Sequence, residues 1–193
     1  MNNHNEKQRL LNQVYEPFRD VSSCPFAFTD LTQTVFGEGN PSATLMFIGE
    51  APGRDEDRLG KPFVGRSGQL LNRVLEAVGT SRRDVFITNV VKWRPPNNRK
   101  PTPAEMAVGK KLLDQEITVI RPKVICTLGS SALHTLLGPE ISISRARGNV
   151  FKQNGTLILP TYHPAYILRN KNELENFMSD ITRAVEIAKS RQQ

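Results

Sequence analysis

The chain has 193 residues, enough for one domain around a single sizeable core and too few for two. Hydrophobic residues make up 38% and charged residues 23%, with 13 Gly and 13 Pro, so a disordered or fibrous chain is excluded and a loop-rich globular protein is expected. Lys and Arg number 26 against 19 for Asp and Glu, a net charge of +7 that favours a polyanionic partner such as nucleic acid without identifying it.

The first pattern is helical: Leu10, Leu11, Val14 and Phe18 recur at helical spacing and predict a packing helix over residues 6–18. Residues 21–40 are broken by Pro, Gly and Asn and read as an irregular connector with at most a short strand at 34–36. ATLMFIG, residues 43–49, is a continuous apolar run ending in Gly, as expected of a strand buried on both faces of a parallel sheet. After a loop over 50–65, Ser67 is the expected N-cap of a helix that puts Leu70, Leu71, Val74, Leu75 and Val78 on one face and stops at Gly79.

A second buried strand at 85–91 leads through the Pro-rich loop KWRPPNNRKPTP to a helix over 103–120 with Pro103 at its entry. A third strand at 124–128 meets Gly129 and Ser130, which open a short helix ending near Leu137. A fourth strand at 156–159 runs into PTYHPAY, and a closing helix over 172–190 places Leu174, Phe177, Met178, Ile181, Val185 and Ala188 on one side. Strands alternate with helices, and no internal repeat or second-domain boundary is visible. The expected fold is therefore α/β, one α/β/α sandwich over residues 1–193 with a central, mostly parallel four-stranded sheet.

Cys24 and Cys126 are the only cysteines, too few for a disulfide framework or a four-thiolate site and suited to a reducing cytosol. The three His residues are too scattered to argue for a metal site. No apolar run approaches the roughly 20 residues that span a bilayer, and MNNHNEKQRL has no signal-peptide core, so a cytoplasmic protein without a membrane partner is expected.

Ligands of parallel sheets bind beyond the carboxyl ends of the strands. Three segments fall there and should share one cleft: GEAPGRDEDRLGKPFVG, TNVVKWRPPNN and the HPAY region. GKPFVGRS, residues 60–67, has phosphate-loop spacing but carries Arg66 where Lys is required, and Pro62 removes an amide, so a nucleotide hydrolase is the weaker reading. His163, Glu50, Glu56 and Asn89 are the polar groups expected to meet in the cleft. Glu50 serves equally well as an acceptor for backbone amides in a tight turn; Asn89 can be a buried amide satisfying the backbone, and Phe63 ordinary core.

VFGEGNP, IGEAPGRDED, GKPFVGRSGQLLNRVLEAVG, VFITNVVKWRPPNNRKPTPAE, ARGNV and HPAYILRN, in this order over residues 35–170, resemble the family 4 uracil-DNA glycosylases. That resemblance implies the glycosylase fold and hydrolytic removal of an extruded uracil from DNA, leaving an abasic site for base-excision repair. It implies that Phe63 stacks on uracil, that the Asn89 amide reads its Watson–Crick edge, and that Glu50, Ala51 and Gly53 line the base pocket. It makes His163, Glu56 and Glu50 the catalytic set: His163 donates to the developing negative charge on uracil O2 and Glu56 orients the attacking water.

The same resemblance implies a four-iron, four-sulfur cluster held by four cysteines. Here Cys24 alone matches a ligand position, with Val21, Trp93 and Gly109 at the other three. A cluster-free relative is expected, with Trp93 and its apolar neighbours filling the vacated space; Cys126 is expected to be a small core residue.

Arg66, Arg145, Arg147 and Arg169 are expected to meet phosphate, with Lys92, Arg94, Arg99 and Lys100 flanking the Pro-rich loop. Tyr166, Ile167 and Leu168 are expected to wedge into the gap left by the flipped nucleotide, with packing beneath the final helix equally open for Ile167. The expected partner is uracil-containing DNA, bound by a monomer. A module that binds such DNA without turning it over is the second reading.

Overall fold

Two short apolar runs, LMFIG and VICTL, set the centre of the molecule. In the computed structural model, which describes residues 3–26, 28 and 30–190, they form β2 (Leu45–Gly49) and β4 (Val124–Leu128), buried at every position and paired in parallel. β3 (Phe86–Asn89) lies parallel on the other side of β2, and β6 (Thr156–Thr161) lies parallel beyond β4. Runs with no polar face need cover on both sides. One face packs on α3 (Arg66–Ala77) and α8 (Leu174–Lys189) through Phe47, Leu71, Leu75, Phe177 and Ile181. The other packs on α1 (Asn3–Tyr15) and α4 (Pro103–Ile120) through Met46, Ile48, Leu11, Leu112 and Leu113.

The expected four parallel strands are therefore the inner ones of a six-stranded mixed sheet ordered β1-β3-β2-β4-β6-β5. β5 (Phe151–Gln153) returns on β6 through Asn154–Gly155, both at positive φ (48° and 82°), as a tight two-residue hairpin requires. β1 (Glu38–Gly39) closes the other edge against β3. The short strand expected at 34–36 is displaced to it. The Val35 amide bonds the Lys92 carbonyl outside any ladder, whereas Gly39, at φ 126°, brings its backbone where any side chain would overlap the Val85 carbonyl.

The loop expected over 50–65 contains α2 (Arg54–Leu59), and α3 begins one residue before Ser67, capped by Gly65. The reason is one carboxylate. Glu56 accepts from the amides of Gly53 (3.2 Å), Val64 (2.9 Å) and Gly65 (2.8 Å), tying the start of α2 to the start of α3. α4 has the Thr102/Glu105 capping box and Pro at its entry. Short helices α5 (Ser130–Leu137), α6 (Ile143–Ala146) and α7 (Pro164–Arg169) complete the layers.

A buried ion pair joins α4 to the sheet. Lys92 Nζ and Glu116 Oε2 are 2.7 Å apart with no side-chain exposure on either residue. Glu116 also accepts from the Tyr15 hydroxyl (2.7 Å), the Gly37 amide (3.2 Å) and the Thr88 hydroxyl (3.0 Å). Burial pushes the Lys92 ammonium down against the pull of Glu116, and burial together with that carboxylate pushes the Tyr15 phenol far up. Lys92 is thus core, not a phosphate contact.

The four-cysteine cluster implied by the resemblance does not fit these residues. Trp93 is fully buried, edge-on to Phe18 and Phe26 with ring centroids 6.0 Å away in each case. Cys24 packs on the α1/α4 side of the sheet and Cys126 on the α3/α8 side, so the sheet separates the two thiols. At Gly109 a Cβ would stand 2.5 Å from the Val90 carbonyl oxygen, which leaves no room for a cysteine there. Among the described residues no group of three or more His, Cys, Asp or Glu is arranged to hold a metal ion.

Two stability measurements follow from this packing. Glu116→Leu strands a buried ammonium and should cost about 3–5 kcal/mol in urea denaturation. Gly109→Cys should cost about 1–3 kcal/mol by overpacking, against the helix-propensity gain of replacing Gly, and iron supplied during refolding should restore none of it.

Candidate active site

β2 and β3 end in register, Gly49 opposite Asn89. The chain leaves β2 to one side for β3 and later enters β4 on the other, so a crevice opens at the carboxyl end of β2, the place where such sheets take ligands. A cavity of about 730 Å³ occupies it, lined by residues 50–56 after β2, by Phe63 and Gly65–Ser67, by Asn89, by Arg94, Pro95 and Asn97–Arg99, and by His163, Ala165 and Arg169. The three segments expected to share one cleft do so. Within it stand Glu50, Ala51, Gly53, Glu56, Phe63, Asn89, His163, Arg66 and Arg169.

Asn89 is buried at 2% exposure, and its side-chain oxygen has no hydrogen-bond partner among the described residues. A buried acceptor left unpaired is costly and calls for a donor supplied from elsewhere. The lack of a side chain at Gly49 makes the site possible, because a Cβ there would overlap both Asn89 Oδ1 and the Phe63 ring. Phe63 itself sits at φ 53°, a left-handed conformation that only tight surroundings maintain. Those surroundings are Arg82, which donates to the Phe63 carbonyl at 3.0 Å and to that of Pro62, and Gly68, where a Cβ would overlap the Phe63 carbonyl.

His163 caps α7. Its Nδ1 accepts from the Ala165 amide at 3.1 Å, so the neutral ring carries its proton on Nε2, as a donor. Burial, with the nearby Arg169 charge, pushes its pKa down to about 4. The ring lies 5.8 Å from that of Phe63, tilted by 36°. Glu50 is tethered by the Ser131 hydroxyl of α5, which donates to its carboxylate, while its backbone carbonyl accepts from Val91 at 3.0 Å.

The phosphate-loop reading fails on the same geometry. Pro62 has no amide to give, and those of Val64 and Gly65 are already taken by Glu56. Glu56 also lines the cavity, but three of its carboxylate's hydrogen-bonding positions hold backbone amides, so it shapes the loop as well.

The basic residues divide. Arg54, Arg66 and Arg169 are exposed at the cavity, joined by the half-buried Arg94 and by Arg99, which pairs with Glu105 at 2.6 Å. Arg147 is not available to phosphate as expected: it pairs with Asp180 at 2.6 Å and donates to the Asn176 carbonyl, pinning α8. Arg145 is exposed on α6 but outside the cavity lining, and Lys100 is exposed on the Pro-rich loop. Of the expected wedge, Ile167 is 2% exposed in the α3/α8 core and Leu168 packs against it, leaving Tyr166 as the exposed apolar side chain. Packing beneath the final helix wins at Ile167 because α7 must bury one face.

The match to known proteins covers these same segments. Residues 36–186 fit the model of the uracil DNA glycosylase superfamily. The chain belongs to that superfamily. It is 43% identical over 182 residues to the type-4 uracil-DNA glycosylase of Thermotoga maritima, covering 92% of this chain and 94% of that one. It is 40% identical to the type-4 enzyme of Archaeoglobus fulgidus, with 90% and 92% covered, and 49% identical to that of Saccharolobus solfataricus, with 69% and 66% covered.

Several residues that line or support the cavity carry no clear signal in the sequence. Asp55 lines the cavity and takes no hydrogen bond among the described residues. Asn97 and Asn98 form part of its wall at φ 55° and 53°; paired Asn after Pro-Pro signals such a turn, since Asn tolerates the left-handed region. Ser131 and Arg82 act from distant segments and leave no local signal.

The histidine has a direct test. Its native pKa lies below the ordinary 6.5, so burying the neutral ring adds stability that is fully present above pH 6.5 and lost as pH falls toward 4. The His163 ring proton resonance should titrate with a midpoint near 4 in NMR, and not between 6 and 7.

Proposed function

We propose that the protein is a monofunctional uracil-DNA glycosylase of base-excision repair, acting in the cytoplasm as a monomer. The observation that carries this reading is the unpaired, buried Asn89 oxygen, placed beside the Phe63 ring and His163 in a cavity ringed by arginines. Uracil presents N3–H and O4 side by side, and an amide answers both; cytosine presents the reversed pattern and leaves the buried amide unsatisfied.

The target base must leave the stack to reach the cavity. Phe63 takes its face, Asn89 its edge, and the backbone of Glu50, Ala51 and Gly53 its remaining polar atoms. As the glycosidic bond breaks, the pair of electrons moves onto the uracil ring and negative charge grows at O2. The Nε2–H of His163 meets that charge, a contribution of about 3 kcal/mol for one well-placed donor. The low pKa keeps this donor a neutral imidazole down to about pH 4.

Water then attacks the anomeric carbon. Glu56 acts mainly by holding the loop. Asp55, on the cavity wall beside Gly65, is the carboxylate free to orient that water. No lysine lines the cavity among the described residues, in keeping with hydrolysis and without a Schiff base that would cut the strand. Arg54, Arg66, Arg94 and Arg169 hold the flanking phosphates, and Tyr166 fills part of the gap in the strand.

The test is release of uracil from a labelled oligonucleotide carrying one deoxyuridine, followed by alkali. Strand scission should require the alkali. Asn89→Ala and His163→Ala should each lower the single-turnover rate by roughly a hundredfold or more, and Asp55→Asn should lower it without changing the urea midpoint, whereas Glu56→Gln should lower both. A folded protein that binds uracil-containing DNA and releases no base would instead make this a binding module. Binding should weaken steeply with salt, and removing Arg66 or Arg169 should each reduce the log–log slope by about 1.

A further inference from the structure

Lys92 is basic, lies three residues past Asn89, and turns away from solvent altogether. Its ammonium donates to the Thr88 hydroxyl at 2.6 Å, to Glu116 at 2.7 Å and to the backbone carbonyl of Asn89. Those three contacts use all three donors of the group. β1 pairs with β3 only as far as Ile87, so at Asn89 this edge of the sheet is closed by an ammonium and not by a strand.

The other side of Asn89 is fixed as well. Val90 donates to the Gly49 carbonyl at 2.9 Å and Val91 to that of Glu50 at 3.0 Å. The backbone that carries the reading amide is therefore gripped between β2 and the buried pair. Glu116, which anchors Lys92, is itself held by Tyr15 from α1, Gly37 from the segment before β1 and Thr88 from β3. An asparagine has only two side-chain torsions, so the position of its backbone largely sets where its amide lies. A shift of about 1 Å at a site of this kind costs up to a hundredfold in rate or affinity.

We infer that Lys92 and Glu116 are positioning residues for Asn89: their buried ion pair fixes the peptide of the base-reading amide and so sets the affinity for uracil. This rests on the reading of the cavity as a uracil site.

The test replaces the pair by apolar residues of similar size, Lys92→Met with Glu116→Leu, because removing both charges together avoids a stranded one and preserves folding far better than either change alone. Inhibition of the glycosylase by free uracil is measured alongside binding to an oligonucleotide with an abasic-site analogue. The expected result is a protein that unfolds cooperatively, binds abasic DNA as the wild type does, and is about tenfold to a hundredfold less sensitive to uracil. In an Asn89→Ala background the same replacement should have no further effect on uracil inhibition, since the amide it positions is gone.

Wild-type uracil sensitivity in the folded double variant, or effects that multiply with Asn89→Ala, would overturn the inference. Should the double variant not fold, Thr88→Val removes one member of the network and should weaken uracil inhibition in the same direction; no change there overturns it too. A wild-type protein that neither releases nor binds uracil sinks the functional reading first, and that outcome is separate from the ones above.

Discussion

The Glu116 carboxylate is where the fold and the site meet. It stands fully buried between α4 and the sheet, and a carboxylate in that position is tolerable only if every nearby donor serves it. Tyr15, Gly37, Thr88 and Lys92 do so, and they come from α1, the segment before β1, the third strand and the turn after it. One charge thereby adds a polar tie to elements that the apolar cluster on this face of the sheet already packs together. Its consequence reaches the cavity because Lys92, once drawn inward, closes over the peptide of Asn89.

A second carboxylate does comparable work on the loop side. Glu56 gathers amides from both ends of the 53–65 segment, and an anion at that place is what a phosphate-binding loop would bring from outside. Here the protein supplies its own. The loop is shaped before any ligand arrives, with Phe63 held in a left-handed conformation between Arg82 and Gly68. An aromatic ring and a side-chain amide held in place in advance would not have to be ordered on binding.

The corner around Trp93 is packed in a way that does not fit the cluster the resemblance implies. Where the resemblance implies iron and sulfur, this chain places an indole between two phenylalanine rings and lets α4 approach the 90–91 backbone at Gly109. Aromatic edge-to-face contacts and close backbone packing supply cohesion that a cluster would supply through covalent ligation. Arg94 and Arg99 of the neighbouring turn line the cavity, so this packed corner adjoins its basic rim.

Much of this was legible in the residue pattern. The continuous apolar runs at 45–49 and 124–128 can be stable only in a covered parallel sheet, the amphipathic stretch from Leu70 to Leu75 only as a helix on its face, and both are found so. The cleft followed from the same logic, since parallel strands leave their loops at one end, and Phe63, Asn89 and His163 stand there. The division of labour among the charged residues was not legible. Whether Lys92 meets phosphate or Glu116, whether Arg147 faces DNA or Asp180, and whether Glu56 is free or bound by amides depends on partners 24, 33 and up to 9 residues away in the chain. Periodicity reports only which face of an element is apolar. The partner of a charge is chosen by three-dimensional proximity and by the penalty for burying it alone, and both exist only once the chain has folded.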